Sequence, residues 1–168
     1  MKFSLEEKLP SCTLSQMTED GPKTLNLSEV TLGKKVILVG MPGAFTQTCD
    51  KQHLPSLIKN STALFNKGID EIICIVVNDI HVAKSWGEIS GATEAGIKIL
   101  CDVESQFTEA IGLSFSVPKV GFFKRLQRVF LILDNNIIKH AQVEKVRGEC
   151  ELTSGETILD TVEKIFNR

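Results

Sequence analysis

Apolar positions along the chain gather into short runs separated by polar turns. Ile72-Ile73-Cys74-Ile75-Val76-Val77 is almost wholly apolar and β-branched, the pattern of a parallel strand covered on both faces. Positions 36–39 give a second buried strand, and positions 11–14 and 24–27 give shorter ones around the Glu19-Asp20-Gly21-Pro22 turn. Positions 98–101 read as a further short strand. Positions 129–133 and 137–141 flank Asp134-Asn135-Asn136, and asparagines that tolerate positive φ there predict a β-hairpin.

Helical spacing fills the gaps. Positions 48–59 form a helix with a kink expected at Pro55, which lacks an N–H and crowds the preceding turn. A second helical piece covers 62–66 and stops at Gly68. Asp79 caps a helix over 80–89, and Phe107, Ala110 and Ile111 suggest a short one. Thr153-Ser154-Gly155-Glu156 reads as a capping box, after which Ile158, Leu159, Val162, Ile165 and Phe166 fall on one helical stripe.

The order is β-α-β-α-β, then a hairpin, then a helix, so the class is α/β. Strand, helix, strand, hairpin, helix is the thioredoxin-like order. Here it carries an N-terminal extension and a central insertion of one helix and one strand, which predicts a mixed central sheet flanked by helices. At 168 residues the length predicts a single domain over 1–168 that buries its own core.

Composition narrows the function. Hydrophobic residues make up 42% and charged ones 24%, and no apolar stretch approaches the ~20 residues of a membrane span. The first eight residues interrupt their few apolar positions with acids, unlike a secretory signal or a transit peptide, which predicts a cytoplasmic protein. A formal charge of -2 counts against nucleic acid or an anionic membrane as the main partner. Lys119, Lys124, Arg125 and Arg128 are the local exception, either a solvated loop or a functional patch. Cys12, Cys49, Cys74, Cys101 and Cys150 form no Cys-x-x-Cys pair and no zinc spacing, so neither a disulfide framework nor a metal is expected. The run 91–98 mimics a phosphate loop, but Ile97 displaces the required Lys and no Ser or Thr follows it, so no nucleotide cofactor is expected. Asn26-Leu27-Ser28 and Asn60-Ser61-Thr62 are formal glycosylation sequons without an export signal to bring them into use.

One cysteine stands apart. Cys49 follows the strand 36–39 and opens a helical pattern, where unpaired N–H groups and the macrodipole favour thiolate over thiol. Thr46 occupies the position at which a dithiol exchange enzyme would carry a second cysteine. A lone thiol cannot run a dithiol cycle within that motif, but it can reduce an oxidant once and become a sulfenic acid.

Pro42-Gly43-Ala44-Phe45-Thr46-x-x-Cys49 resembles the active-site loop of the peroxiredoxins, in particular the type II (peroxiredoxin V) subfamily, part of the redoxin superfamily. Val77-Asn78-Asp79, Trp86 and Arg125-Leu126-x-Arg128 before an apolar strand also fit that subfamily. Gln47 stands where a proline is usual, and Asp50 where a small polar residue is common. The resemblance implies a cofactor-free thiol peroxidase acting on hydrogen peroxide and alkyl hydroperoxides, with Cys49 as the peroxidatic thiolate, Thr46 orienting the peroxide, Pro42 shielding the sulfur and Arg128 supplying the guanidinium. For recycling it implies Cys74 or Cys150 as the resolving thiol, or direct reduction by glutathione or glutaredoxin, with thioredoxin as the other reductant, and it implies a homodimer. Two rival readings are a glutathione-linked disulfide reductase using Cys49 alone and a peroxide sensor signalling through the same thiol. His53, one turn beyond Cys49, reads as an exposed helix histidine; Trp86 and the phenylalanines read as core or a subunit interface; Cys12 and Cys101 read as packing residues.

Overall fold

The computed structural model describes residues 2–166. Its strands are β1 (Thr13–Thr18), β2 (Gly21–Asn26), β3 (Lys35–Met41), β4 (Glu71–Val76), β5 (Ile97–Cys101), β6 (Ser114–Val117), β7 (Phe122–Leu126), β8 (Val129–Asp134) and β9 (Ile137–Val143). Its helices are α1 (Leu27–Val30), α2 (Leu54–Asn66), α3 (Ile80–Ser90), α4 (Gln106–Ala110) and α5 (Gly155–Phe166). A π turn, Cys49–His53, leads directly into α2.

Seven strands form one mixed sheet in the order β2-β1-β5-β4-β3-β8-β9, and β6 pairs with β7 apart from it. β3, β4 and β5 run parallel, as their helical crossovers require, while β8 and β9 join antiparallel. Side-chain alternation sorts the apolar runs onto two faces. Ile37, Val39 and Met41 of β3 pack with Cys74, Leu57, Trp86 and Ile158 on one face, against α2, α3 and α5. Val36 and Leu38 pack on the other with Ile73, Leu131 and Phe107, under α4 and the N-terminal segment. This is the expected α/β sandwich of helices around a mixed sheet. Among the described residues no helix is long and apolar enough to cross a membrane.

The predicted hairpin is present, and Asn135 and Asn136 both take positive φ, +49° and +66°. Four local expectations change. The two pieces expected at 48–59 and 62–66 form one continuous helical run, because Leu57, Ser61 and Leu64 keep a single buried face through the polar stretch. Pro55 falls where the π turn passes into α2, so its missing N–H coincides with a change of helical register instead of a kink within one helix. The expected strand at 24–27 gives way at Leu27 to the turn of α1, where Asn26 Oδ1 accepts from the Ser28 N–H. The capping box is shifted by one: Ser154 Oγ, not Thr153, accepts the Thr157 N–H (3.2 Å) at the start of α5. Thr153 is held elsewhere, its N–H and hydroxyl both donating to Glu144 Oε1 at 2.8 and 3.0 Å. The β6–β7 hairpin has no counterpart in the sequence reading.

Candidate active site

β3 delivers the chain to Met41, and the loop from Pro42 to Thr48 turns it into the π turn. Each bend in that loop has an identifiable bond. Phe45 adopts a left-handed φ of +59°; the Ala44 N–H donates to Asn78 Oδ1 at 2.9 Å, and the Thr46 hydroxyl donates to the Gly43 carbonyl at 2.7 Å. Arg125 Nη1 donates to the Pro42 carbonyl at 3.0 Å. A Cβ on Gly43 would overlap that same nitrogen, so glycine at this position is what lets the arginine reach the loop.

The π turn places Cys49 and His53 together toward the interior. Leu54 donates its N–H to the Cys49 carbonyl five residues back, and both Cys49 and His53 are fully buried. Arg128, in the corner between β7 and β8 and itself buried, sets Nη1 and Nη2 each 3.5 Å from Cys49 Sγ. Its Nη1 also donates to His53 Nδ1 at 3.0 Å, and its Nη2 to the Arg147 carbonyl at 3.4 Å. His53 Nε2 lies 2.7 Å from the Thr153 carbonyl. An imidazole that accepts at Nδ1 and donates at Nε2 is the neutral Nε2–H tautomer. Burial, and then the Arg128 charge, push His53 down to about 3, which agrees with that assignment.

Asp50, next to the cysteine, accepts from Trp86 Nε1 at 2.8 Å and pairs with Lys51 at 2.7 Å. Those two partners, Lys51 first, hold its carboxyl below the usual range. Trp86 is a fully buried core residue, with the Phe45 ring 6.4 Å from its own.

A cavity of about 330 Å³ opens at the active-site loop, lined by Pro42, Thr46, Thr48, Phe115, Phe122 and Arg128 among others. Of the residues named from the sequence, Pro42, Thr46 and Arg128 line this cavity; Cys49 does not, and lies behind it against the Arg128 guanidinium. The two other named cysteines occupy different settings. Cys74 lies in the sheet opposite Val39, fully buried, and burial pushes its thiol up, with Cys49 and Cys101 adding to the effect. Cys150 is half-buried in the loop between β9 and α5; burial pushes its thiol up to about 11 against the pull of Arg128. Cys12 and Cys101 sit in the apolar clusters as read.

His53 departs most from expectation: its sequence context predicts an exposed helix face, and it is instead buried and bonded to Arg128. The signal was its i, i+4 relation to Cys49, which puts both on one face; the reason to bury that face lies about a hundred residues later, at Thr153. The basic cluster divides. Lys124 pairs with Glu109 at the surface (2.7 Å), while Arg125 and Arg128 build the site. Asp50 as the partner of Trp86 and Asn78 as the anchor of Ala44 were not foreseen.

Comparison with known proteins places these observations. The Redoxin family model matches residues 5–159. Peroxiredoxin-2D of Arabidopsis thaliana is 40% identical over 158 residues, covering 94% of this chain and 96% of that one. Chloroplastic peroxiredoxin-2E-2 of Oryza sativa subsp. japonica is 36% identical, covering 94% and 71%; the cytoplasmic expectation draws no support from it. Reduced Prx3 from Vibrio vulnificus, solved in complex with hydrogen peroxide, superposes with a TM-score of 0.88 at 38% identity, covering 96% and 99% of the two chains. Sequence, fold and the gathering of the motif residues agree over nearly the whole length, and the chain belongs to the redoxin family and, within it, to the peroxiredoxins, the thiol peroxidase oxidoreductases.

Proposed function

We propose that Cys49 reduces hydrogen peroxide and alkyl hydroperoxides by direct attack of its thiolate on the peroxide. An S–O bond forms as the O–O bond breaks, the departing oxygen takes a proton to leave as water or alcohol, and the sulfur remains as a sulfenic acid. The observation that carries this reading is the placement of both terminal guanidinium nitrogens of Arg128 at 3.5 Å from Cys49 Sγ. Fixed N–H donors there favour negative charge on the sulfur and then on the leaving oxygen, in a site largely closed to water. The Thr46 hydroxyl spends its proton on the Gly43 carbonyl, so its lone pairs are left to accept from the O–H of a bound peroxide. Pro42 walls the same cavity with a residue that has no N–H to offer.

The sulfenic acid then condenses with a thiol, releasing water and forming a disulfide that glutaredoxin with glutathione, or thioredoxin, reduces. Cys150 is the better placed of the two resolving candidates. Its loop already touches the site, through the Arg147 carbonyl on Arg128 and the Gly148 carbonyl on Thr48 Oγ1 (2.9 Å). Drawing Cys74 toward Cys49 would instead disturb the β3–β4–β5 ladder. The exposed Phe45, Val120 and Phe123 near the cavity support a homodimer formed through this face, which sedimentation would detect.

Replacing Cys49 with serine is expected to abolish peroxide consumption with every reductant; turnover that survives would overturn the reading. Mass spectrometry after one equivalent of peroxide is expected to show a Cys49–Cys150 bridge that is lost in Cys150→Ser, whereas a Cys49–Cys74 bridge would reassign the resolving thiol.

A further inference from the structure

Glu144 is a buried acid without a counter-ion. It follows β9 directly, is only 8% exposed, and among the described residues pairs with no lysine or arginine. Its Oε1 instead accepts twice from Thr153, from the N–H at 2.8 Å and from the hydroxyl at 3.0 Å. Withdrawing a carboxylate from water is costly, and helix capping does not account for it, since Ser154 caps α5.

The bonds around Glu144 close a ring. Its N–H donates to the Arg128 carbonyl at 3.0 Å, and its carboxylate holds Thr153. The Thr153 carbonyl lies 2.7 Å from His53 Nε2, and His53 Nδ1 accepts from Arg128 Nη1 at 3.0 Å. One arginine is thus reached twice, at its backbone directly and at its guanidinium through two intermediates. Thr153, His53 and Arg128 are all buried, so water does not compete for these bonds. Thr153 is fixed from its C-terminal side as well, where the Gly155 N–H donates to Ser56 Oγ at 2.9 Å. Arg128 needs such fixing. Its Nε is buried without a partner, and its two contacts with Cys49 Sγ are long, at 3.5 Å. Besides the Arg147 carbonyl at 3.4 Å, only His53 sets the direction of the guanidinium plane.

We propose that Glu144 is a positioning residue for the peroxidase reaction, aiming the Arg128 guanidinium at Cys49 Sγ through Thr153 and His53. This role rests on the peroxidase reading and deepens it; Glu144 touches no reacting atom. Without its oxygens Thr153 is free to turn its carbonyl away from His53, the imidazole loses its fixed tilt, and Arg128 samples orientations in which its donors miss the sulfur and the leaving oxygen.

Two rates are measured on the reduced full-length chain: oxidation of Cys49 by hydrogen peroxide within a single turnover, by quenched-flow mass spectrometry, and alkylation of Cys49 by iodoacetamide as a function of pH. Neither depends on the resolving thiol. Glu144→Ala is expected to slow oxidation by about 10- to 10²-fold, the scale of a misplaced group remote from the chemistry. It should also move the alkylation midpoint to higher pH, because a guanidinium turned from the sulfur favours thiolate less. Glu144→Gln keeps an acceptor oxygen for Thr153, and the cavity of about 650 Å³ that Glu144 lines gives its amide room, so it should restore most of both losses. In a His53→Ala background, Glu144→Ala should slow oxidation by about twofold at most, as expected of residues acting in series. Thr153→Val deletes one of the two bonds at nearly constant volume and should move both readouts the same way by less, which carries the test if Glu144→Ala does not fold. Wild-type rate and midpoint in Glu144→Ala or Thr153→Val, a Glu144→Gln protein as impaired as Glu144→Ala, or a full additional loss in the His53→Ala background would overturn the role. If the wild type reacts with peroxide and any of these results appears, the positioning role alone fails; if the wild type does not react, the peroxidase reading has failed and takes the role with it.

Discussion

The buried imidazole of His53 makes the fold sensitive to mild acid, and the size of the effect follows from its surroundings. Neutral His53 accepts from Arg128 at Nδ1 and donates to Thr153 at Nε2; a proton added at Nδ1 removes the acceptor and puts a second positive charge against a buried guanidinium. The folded state therefore holds His53 at about 3, against about 6.5 in an unfolded chain. Because the folded value is the lower one, the unfolded chain binds more protons between these limits, and stability present above pH 6.5 is lost as the pH falls toward 3. At pH 5 the gap already traversed is about 1.5 units, or about 2 kcal/mol at roughly 1.4 kcal/mol per unit. His140, half-buried and also lowered by burial, changes stability in the same direction, so the assay must isolate His53. Urea unfolding of the reduced chain at pH 7 and pH 5, wild type beside His53→Asn, does this by difference. The wild type should lose about 2 kcal/mol more than the variant across that interval. Equal losses in the two proteins would refute the neutral, Arg128-bonded imidazole and with it the account of how Arg128 is held.

Arg128→Met removes both donors from the sulfur and should cut kcat/KM for hydrogen peroxide by roughly 10²–10³, the usual cost of removing a donor from developing charge; a loss below tenfold in stopped-flow assays would take Arg128 out of the reaction. Asp50→Ala leaves the buried Trp86 N–H without its partner and should destabilise the fold by about 1–3 kcal/mol. Trp86 is the single tryptophan, so its fluorescence reports both the local change and the unfolding transition, and an unchanged midpoint would contradict the bond's importance. Gly155→Ala drives a Cβ into the Ser56 carbonyl where α5 meets α2. Separating the helices should cost about 1–3 kcal/mol, visible as a lower Tm, and an unchanged Tm would mean that the contact yields freely.

Where the sequence spoke clearly, one physical signal dominated. The run 72–77 had to be a strand buried on both faces, and it sits near the centre of the sheet between β3 and β5. Asn135 and Asn136 took the positive φ that their side chains tolerate. The Cys49 loop was recognisable because its residue types and spacing belong to a known chemistry. Failures came where a residue's state depends on a distant partner. The i, i+4 relation of His53 to Cys49 puts the two on one face, but only Thr153, 100 residues later, decides that the face is buried. Lys124 and Arg125 read as part of a basic cluster with Lys119 and Arg128, and their segment becomes a strand only by pairing with residues 114–117. Thr153 has the composition of a cap, but Glu144 and His53 claim it first, moving the cap to Ser154.

The site joins pieces far apart in the chain: Cys49 meets a guanidinium 79 residues later, and His53 meets a carbonyl 100 residues later. During synthesis the sulfur therefore leaves the ribosome long before the guanidinium and the carbonyl that enclose it. On the proposed chemistry, a chain truncated before Arg128 should react slowly with peroxide, and the full reactivity should arrive only as the last strands and the loop after them close. Peroxide sensitivity of Cys49, if the proposed chemistry holds, would then report completed folding of the distant strands as well as the presence of the thiol.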